Sequence, residues 1–167
     1  EKVGFPAILK TIRMGYDGKG QARVGEPRDI SEAWAQIGRL PSIAEAMIQF
    51  DAEFSVILTR ATNGDIRFWD SPRNRHEGGI LARSTLPAGP LIEDQQAEAR
   101  KLAAAAADEL EYVGVMTMEF FATANGPLFN EMAPRVHNSG HWTIEGAATS
   151  QFENHIRAVC DLPLGAT

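Results

Sequence analysis

The chain reads as an α+β protein in two lobes, on three observations. Short alternations of apolar and polar residues joined by glycine-containing turns mark antiparallel strand pairs. Gln95 to Tyr112 and a closing segment from Ser150 are built of helix formers with the spacing of packed helices. A change of composition near Gln49 to Glu53 marks a hinge, which divides the chain into a small lobe, residues 1–50, and a larger one, residues 51–167.

Taken in order, residues 6 to 25 predict two strands flanking the stretch Gly15-Tyr16-Asp17-Gly18-Lys19-Gly20. Ile30 to Ile37 places Ile30, Ala33, Trp34 and Ile37 on one side of a short helix, and a strand is expected near Ser42 to Phe50. Phe54 to Arg60 alternates, and Asn63-Gly64-Asp65 turns it into Ile66 to Trp69, a hairpin that opens a second sheet. Ser71 to Pro90 carries Pro, Asn, Gly and charge without period, and is expected to form an irregular loop open to a ligand. Leu102, Ala106 and Leu110 are expected on the packing face of the long helix. Val115 to Thr123 and Leu128 to Met132 pair around Ala124-Asn125-Gly126. The last helix is capped by the Ser150 hydroxyl, with Glu153 in the capping-box position, and Phe152, Ile156, Val159 and Cys160 are expected to form its buried face.

With 167 residues, 44% of them hydrophobic, the chain can bury one substantial core or two small ones. Twenty-two acidic residues against sixteen Lys and Arg give a net charge of -6, which opposes a general nucleic-acid or anionic-membrane surface. Any phosphate must therefore be held by local cations. The single Cys160 permits no intrachain disulfide and fits a reducing, cytoplasmic setting. No stretch approaches the length of a transmembrane helix. The chain starts without Met and runs at once into strand-like Ala7-Ile8-Leu9-Lys10, as an internal piece of a longer protein would.

Three constellations carry chemistry. If the turn at Ala124-Asn125-Gly126 has three residues, Glu119 lies opposite Glu131 on one face of the hairpin. Opposed like charges destabilise a sheet pair, which calls for a cation; two carboxylates beside the Asn130 amide suit Mg²⁺ completed by phosphate oxygens. A two-residue Asn-Gly turn would pair Glu119 with Met132 and leave two ordinary surface acids. The glycines between Gly15 and Gly20 lack the Walker A order, yet they let a hairpin tip approach phosphate with Lys10 and Lys19 as cations; an ordinary glycine-rich tip is the other reading. After Pro134, Arg135, His137 and Asn138 offer a guanidinium fork, an imidazole and an amide, either as an anion site or as a polar turn. His76 fits a surface histidine as readily as a ligand.

Asn130-Glu131-Met132-Ala133-Pro134-Arg135-Val136-His137-Asn138-Ser139-Gly140-His141-Trp142 resembles the ATP-grasp family, in the branch that carboxylates aminoimidazole ribonucleotide for purine biosynthesis. Lys10 to Gln21, Asn74 with His76 and Gly79-Ile80-Leu81, Tyr112 to Val115, Thr149 to Glu153 and Asp161 to Gly165 extend the resemblance over nearly the whole chain. It implies the ATP-grasp fold, with the nucleotide between the lobes. Lys10 and the loop Gly15, Tyr16, Asp17, Gly18, Lys19, Gly20 and Gln21 would hold ATP phosphates. Glu45, Ala46, Met47 and Ile48 would face adenine, Glu53 the ribose hydroxyls, and His76 would approach the nucleotide. Glu119 and Glu131 would carry Mg²⁺ with Asn130 adjacent. Arg135, His137 and Asn138 would take bicarbonate and carboxyphosphate, while Tyr16, Asp17 and Lys19 take the aminoimidazole ribonucleotide; Asp17, Lys19, Arg135, His137 and Asn138 are the implied catalytic set.

The resemblance further implies a homodimeric parent enzyme with an N-terminal domain before this region and a basic segment after it. Gly78 stands where the family usually has Asp, and Trp69-Asp70 where it has Tyr-Pro, which bears on the loop around His76. The rivals are another ATP-grasp carboxylate-amine ligase, which would lack the Arg135 to Trp142 run, and a nucleotide-binding module without chemistry, which would lose a metal acid or the anion cluster.

Overall fold

The computed structural model describes residues 3–13 and 19–167. The chain divides into two compact units, Glu1–Gln49 with His76–Ile80, and Phe50–Arg75 with Leu81–Thr167. The composition change near residue 50 gives no sign that His76–Ile80 belongs with the first.

In the first unit, β1 (Ala7–Thr11) lies between β2 (Gln21–Val24) and β3 (Ser42–Ala46) in an antiparallel sheet, with Lys10 opposite Gln21 on one side and Ile43 on the other. A 3-10 turn at Pro27–Asp29 leads into α1 (Ile30–Gln36), and the Asp29 carboxylate accepts the amides of Gly25 and Glu26 at 3.1 and 3.0 Å. Ala33 and Ile37 close over Ala22 and Val24. The expected stripe is only half buried. Ile30 and Trp34 remain exposed, because four-residue β2 offers too little surface to cover them, and the Trp34 indole N–H donates to the Leu40 carbonyl instead.

The second unit is a six-stranded sheet in the order β7-β6-β4-β8-β9, with β5 (Ile66–Phe68) also paired to β4 (Ala52–Arg60). The Asn63-Gly64-Asp65 turn forms as expected, the Asn63 side chain accepting the Asp65 amide at 2.9 Å. Ser71 to Pro90, by contrast, is not an irregular loop. It holds β6 (Arg73–Glu77) and β7 (Ile80–Thr85), joined at Gly78-Gly79 with φ of 61° and 82°. Two consecutive positive φ values are those of a type I′ hairpin turn, where glycine is at ease and Asp is tolerated. β6 escapes hydropathy because the inward Asn74 is satisfied by polar partners: it donates to Ser55 Oγ at 2.7 Å and accepts from Ser84 Oγ at 2.9 Å.

Strand alternation divides β4 and β8 (Gly114–Thr123) into two chemically different faces. On one, Ala52, Phe54, Val56 and Leu58 join Met116, Met118, Phe120 and Ala122 beneath α2 (Pro90–Glu109). This helix starts at Pro90, and its buried residues are Ile92, Ala99, Ala103 and Ala107; the expected Leu102 and Leu110 are 45% and 56% exposed. Alanines let the helix backbone settle close on the bulky sheet side chains, so the leucines take the outer side.

The other face carries Ser55, Ile57, Thr59, Val115, Thr117 and Glu119, and α4 (Gln151–Val159) lies over it. The expected buried face of α4 is reversed. Gln151, Asn154 and Ala158 point in, whereas Phe152, Ile156, Val159 and Cys160 are exposed. The surface beneath mixes Ile57 and Val115 with polar groups: Thr59 Oγ1 donates to the Asn154 carbonyl at 3.4 Å and the Val115 amide donates to His155 Nδ1 at 3.0 Å, while the Asn154 side chain exchanges two hydrogen bonds with the Gly165 backbone. Ser150 caps the helix by accepting the Glu153 amide at 3.2 Å, while the Glu153 carboxylate pairs with Arg157 at 2.7 Å. Among the described residues no helix is long and apolar enough to cross a membrane.

The packing of α2 has a direct test. Ala103→Leu should cost about 1–3 kcal/mol by overpacking a filled site, whereas Leu102→Ala should cost less than about 1 kcal/mol. Chemical denaturation of both variants measures this; the opposite ranking would put the buried face where the sequence pattern places it.

Candidate metal and anion site

The hairpin of β8 and β9 (Gly126–Ala133) is closed by the Thr123–Gly126 pair around the two residues Ala124 and Asn125, and the Thr123 hydroxyl donates to the Gly126 carbonyl at 2.8 Å. Neither turn expected from the sequence is present. Extended regularly, this register would set Glu119 opposite Asn130. A register shift between Glu119 and Phe120 leaves Asn130 as an extra residue in β9, and beyond it Glu119 pairs directly with Glu131. The expected pairing is therefore present through a β-bulge and not through a longer turn.

The bulge decides which face Glu131 occupies. Phe129 packs edge-on against Phe120 on the α2 side, with ring centroids 6.2 Å apart. Two residues further along a regular strand, Glu131 would share that apolar side. One extra residue turns it to the opposite face, where Glu119 and, across β4, Ser55 already lie. Glu53, two residues before Ser55 on β4, is on this same face, half-buried and paired in register with Asn74 and Phe121.

Glu119 is 6% exposed and Glu131 is exposed. A buried carboxylate needs hydrogen-bonded partners to offset its lost hydration. One is His137, whose Nε2 lies 3.3 Å from Glu119 Oε1. Magnesium is held by one or two carboxylates together with phosphate oxygens and water, and the Glu119–Glu131 pair with Asn130 in the bulge fits that donor set. A protein-only cage does not arise: among the described residues no three His, Cys, Asp or Glu gather as metal ligands.

Past β9 the chain turns outward. Arg135 is exposed, with Nη1 donating to the Val136 carbonyl at 2.9 Å, and Asn138 is exposed at the start of a 3-10 turn, Asn138–Gly140. His137, between them, is buried, so the three residues are not equivalent faces of one anion cluster. Its Nδ1 accepts the Ser139 amide at 3.3 Å and lies 2.8 Å from Ser139 Oγ. Its backbone is gripped by fully buried Gln151, which accepts the His137 amide at 3.0 Å and donates to the His137 carbonyl at 2.7 Å. The Gln151 amide group lies so near Gly140 that a Cβ there would come within 2.6 Å of its oxygen. Ser55, Ser139 and Gln151 were not singled out from the sequence. No signal in the sequence marks Gln151, because the apolar periodicity of α4 runs along the opposite, exposed side of the helix.

The residues expected at ATP in the first unit stand as follows. Lys10, on β1, pairs with Glu45 on β3 at 2.6 Å. Ala46 ends β3, the Met47 amide donates to the Pro6 carbonyl at 3.1 Å, and Ile48 is half-buried. Lys19 is exposed, the Gly20 carbonyl accepts the Thr11 amide at 2.8 Å, and Gln21 opens β2. His76 is half-buried in β6. Gly15, Tyr16, Asp17 and Gly18 lie outside the described residues.

A family model for the ATP-grasp domain matches residues 1–152. The chain is 49% identical over 165 residues to an N5-carboxyaminoimidazole ribonucleotide synthase of Pseudomonas aeruginosa, covering 99% of this chain and 45% of that protein. It is similar to the crystal structure of N5-carboxyaminoimidazole ribonucleotide synthetase from Thermus thermophilus, with a TM-score of 0.89 at 49% identity over 98% of this chain and 44% of that one. The synthase of Aspergillus clavatus in complex with ADP and 5-aminoimidazole ribonucleotide matches with a TM-score of 0.89 at 33% identity, over 98% of this chain and 43% of that one. The chain thus spans less than half the length of these relatives.

Gln151→Met keeps the volume but leaves the His137 amide and carbonyl without this partner. The expected loss is about 1–3 kcal/mol for each buried group left unsatisfied, read as a lower denaturation midpoint. A variant as stable as the parent would mean that Gln151 does not hold this loop.

Proposed function

We propose, from the premise that the chain belongs to the ATP-grasp family, that it forms part of an ATP-dependent carbon–nitrogen ligase which carboxylates 5-aminoimidazole ribonucleotide with bicarbonate for purine biosynthesis. The observation that carries this reading is the bulge-placed Glu119–Glu131 pair, followed at once in the chain by exposed Arg135 and Asn138. A divalent-cation site thereby leads directly into an anion site. The names and contents of the relatives support the substrates: ADP and 5-aminoimidazole ribonucleotide occupy the Aspergillus clavatus synthase.

In this reading residues 1–50 serve as the small ATP-grasp lobe and residues 51–167 as the large one. Lys10 and Gly15 to Gln21 hold the nucleotide phosphates, Glu45 to Ile48 the adenine and Glu53 the ribose, while His76 approaches the nucleotide. Lys10 would exchange its Glu45 partner for phosphate. Glu119 and Glu131, with Asn130, hold Mg²⁺, which when bound neutralises charge on the transferring phosphoryl group. Arg135 and Asn138 orient bicarbonate, and His137 acts beside them. Tyr16, Asp17 and Lys19 position the aminoimidazole ribonucleotide.

A bicarbonate oxygen then attacks the γ-phosphorus of ATP while the bond to the β-phosphate oxygen breaks, giving carboxyphosphate and ADP. The exocyclic amine of the ribonucleotide attacks the carboxyl carbon of carboxyphosphate, or of CO₂ released from it. Inorganic phosphate departs, the amine loses a proton, and N5-carboxyaminoimidazole ribonucleotide forms. Water must be kept from carboxyphosphate, which it would hydrolyse. The full protein in this reading is cytoplasmic and homodimeric.

Arg135→Lys separates nucleotide binding from carboxylation. A lysine keeps the charge but loses the planar two-pronged donor, so ATP affinity should hold while bicarbonate-dependent ADP formation by the full protein falls by about two to three orders of magnitude, the usual cost of one preorganised donor. Carboxylation at the parental rate would remove Arg135 from the bicarbonate site and with it the proposed mechanism.

A further inference from the structure

We propose that His137 is a positioning residue for the carboxylate pair, its ring locked by Ser139 and its backbone by Gln151, with the Nε2 proton directed at Glu119. The lock stands on geometry alone. Its consequence for metal binding rests on the magnesium reading above.

A backbone amide can only donate. The Ser139 amide meets His137 Nδ1 at 3.3 Å, so Nδ1 must present its lone pair there. The neutral ring then carries its proton on Nε2, the nitrogen 3.3 Å from Glu119 Oε1. The Ser139 hydroxyl, 2.8 Å from the same Nδ1, is left to donate as well. Both ring nitrogens are thus engaged inside the protein, and the residue is 9% exposed, unlike its neighbours Arg135 and Asn138.

The support is layered. Gln151 fixes the His137 peptide groups on both sides, and its own amide N–H donates to Thr143 Oγ1 at 3.0 Å, whose hydroxyl in turn donates to the Gly140 carbonyl at 2.7 Å. Every member of this set, Ser139, Gly140, Thr143 and Gln151, is buried. Such a frame sets the direction of the imidazole, and the imidazole sets one oxygen of Glu119. A group that orients a ligating carboxylate tunes metal affinity without touching the metal.

Nitrogen-15 spectra of the histidine rings in the unliganded full protein test the lock, with His137 identified by its loss in His137→Gln. The proton is expected on Nε2, with Nδ1 bare, and the same in Ser139→Ala, because the amide donor survives that change. A proton on Nδ1 in either protein overturns the lock. Titration with Mn²⁺ as the probe tests the consequence. His137→Ala should weaken Mn²⁺ binding about tenfold or more, whereas His137→Gln, which offers an amide N–H at similar reach, should stay within about threefold of the parent. Equal weakening in both variants, or none in either, overturns the positioning role. A parent protein that takes up no Mn²⁺ while carrying its proton on Nε2 would sink the magnesium reading and leave the lock standing.

Discussion

The candidate site depends on one extra residue in an edge strand. Asn130 breaks the two-residue period of β9 once, and that single interruption moves Glu131 from the side of Phe129 and the α2 core to the side of Glu119. A regular strand would leave an acid against apolar packing and Glu119 opposite an amide. With the bulge, two carboxylates face each other, an arrangement that is unfavourable in itself and that makes sense beside a cation.

Much of the second unit can be understood as the accommodation of that choice. The sheet has an apolar face, where alanines of α2 lie on Phe54, Met116 and Phe120, and a polar face, where Ser55, Thr59, Thr117 and Glu119 are buried. Buried polar groups require partners: Asn74 serves Ser55, His137 stands beside Glu119, and the Asn154 carbonyl of α4 accepts from Thr59, while the inward Gln151 and Asn154 side chains hold the backbone of His137 and Gly165 and leave Ile156 and Val159 outside. The apolar side holds the fold; the polar side carries the candidate site, with His137 fixed between Gln151 and Glu119.

Legibility from sequence followed the physical origin of each feature. The hairpin of β4 and β5 was plain, since alternation and an Asn-Gly-Asp turn are local signals. The Glu119–Glu131 pairing was anticipated, but by way of a turn that is not there: the shorter turn and the bulge offset one another, and a bulge leaves no mark in hydropathy. β6 was hidden because its inward residue is Asn74, buried by hydrogen bonds and not by apolar contact. The faces of α2 and α4 were misplaced for one reason. Hydropathy turns leucine, isoleucine and phenylalanine inward, whereas close approach favours alanine in one helix and the backbone groups of His137 and Gly165 take up the inward amides of the other. The chemistry-bearing run from Asn130 to Trp142 was legible as residue types; its division into exposed Arg135 and Asn138 and buried His137 was not.

In the proposed reaction this arrangement serves phosphoryl transfer to bicarbonate. Bicarbonate labelled with oxygen-18 tests it in the full protein, supplied with Mg-ATP and aminoimidazole ribonucleotide in unlabelled water. Attack by a bicarbonate oxygen on the γ-phosphorus leaves that oxygen on phosphorus when the carboxyl group is transferred, so one labelled oxygen is expected in each inorganic phosphate released during early turnover. Phosphate that carries no label while ADP is formed would contradict it.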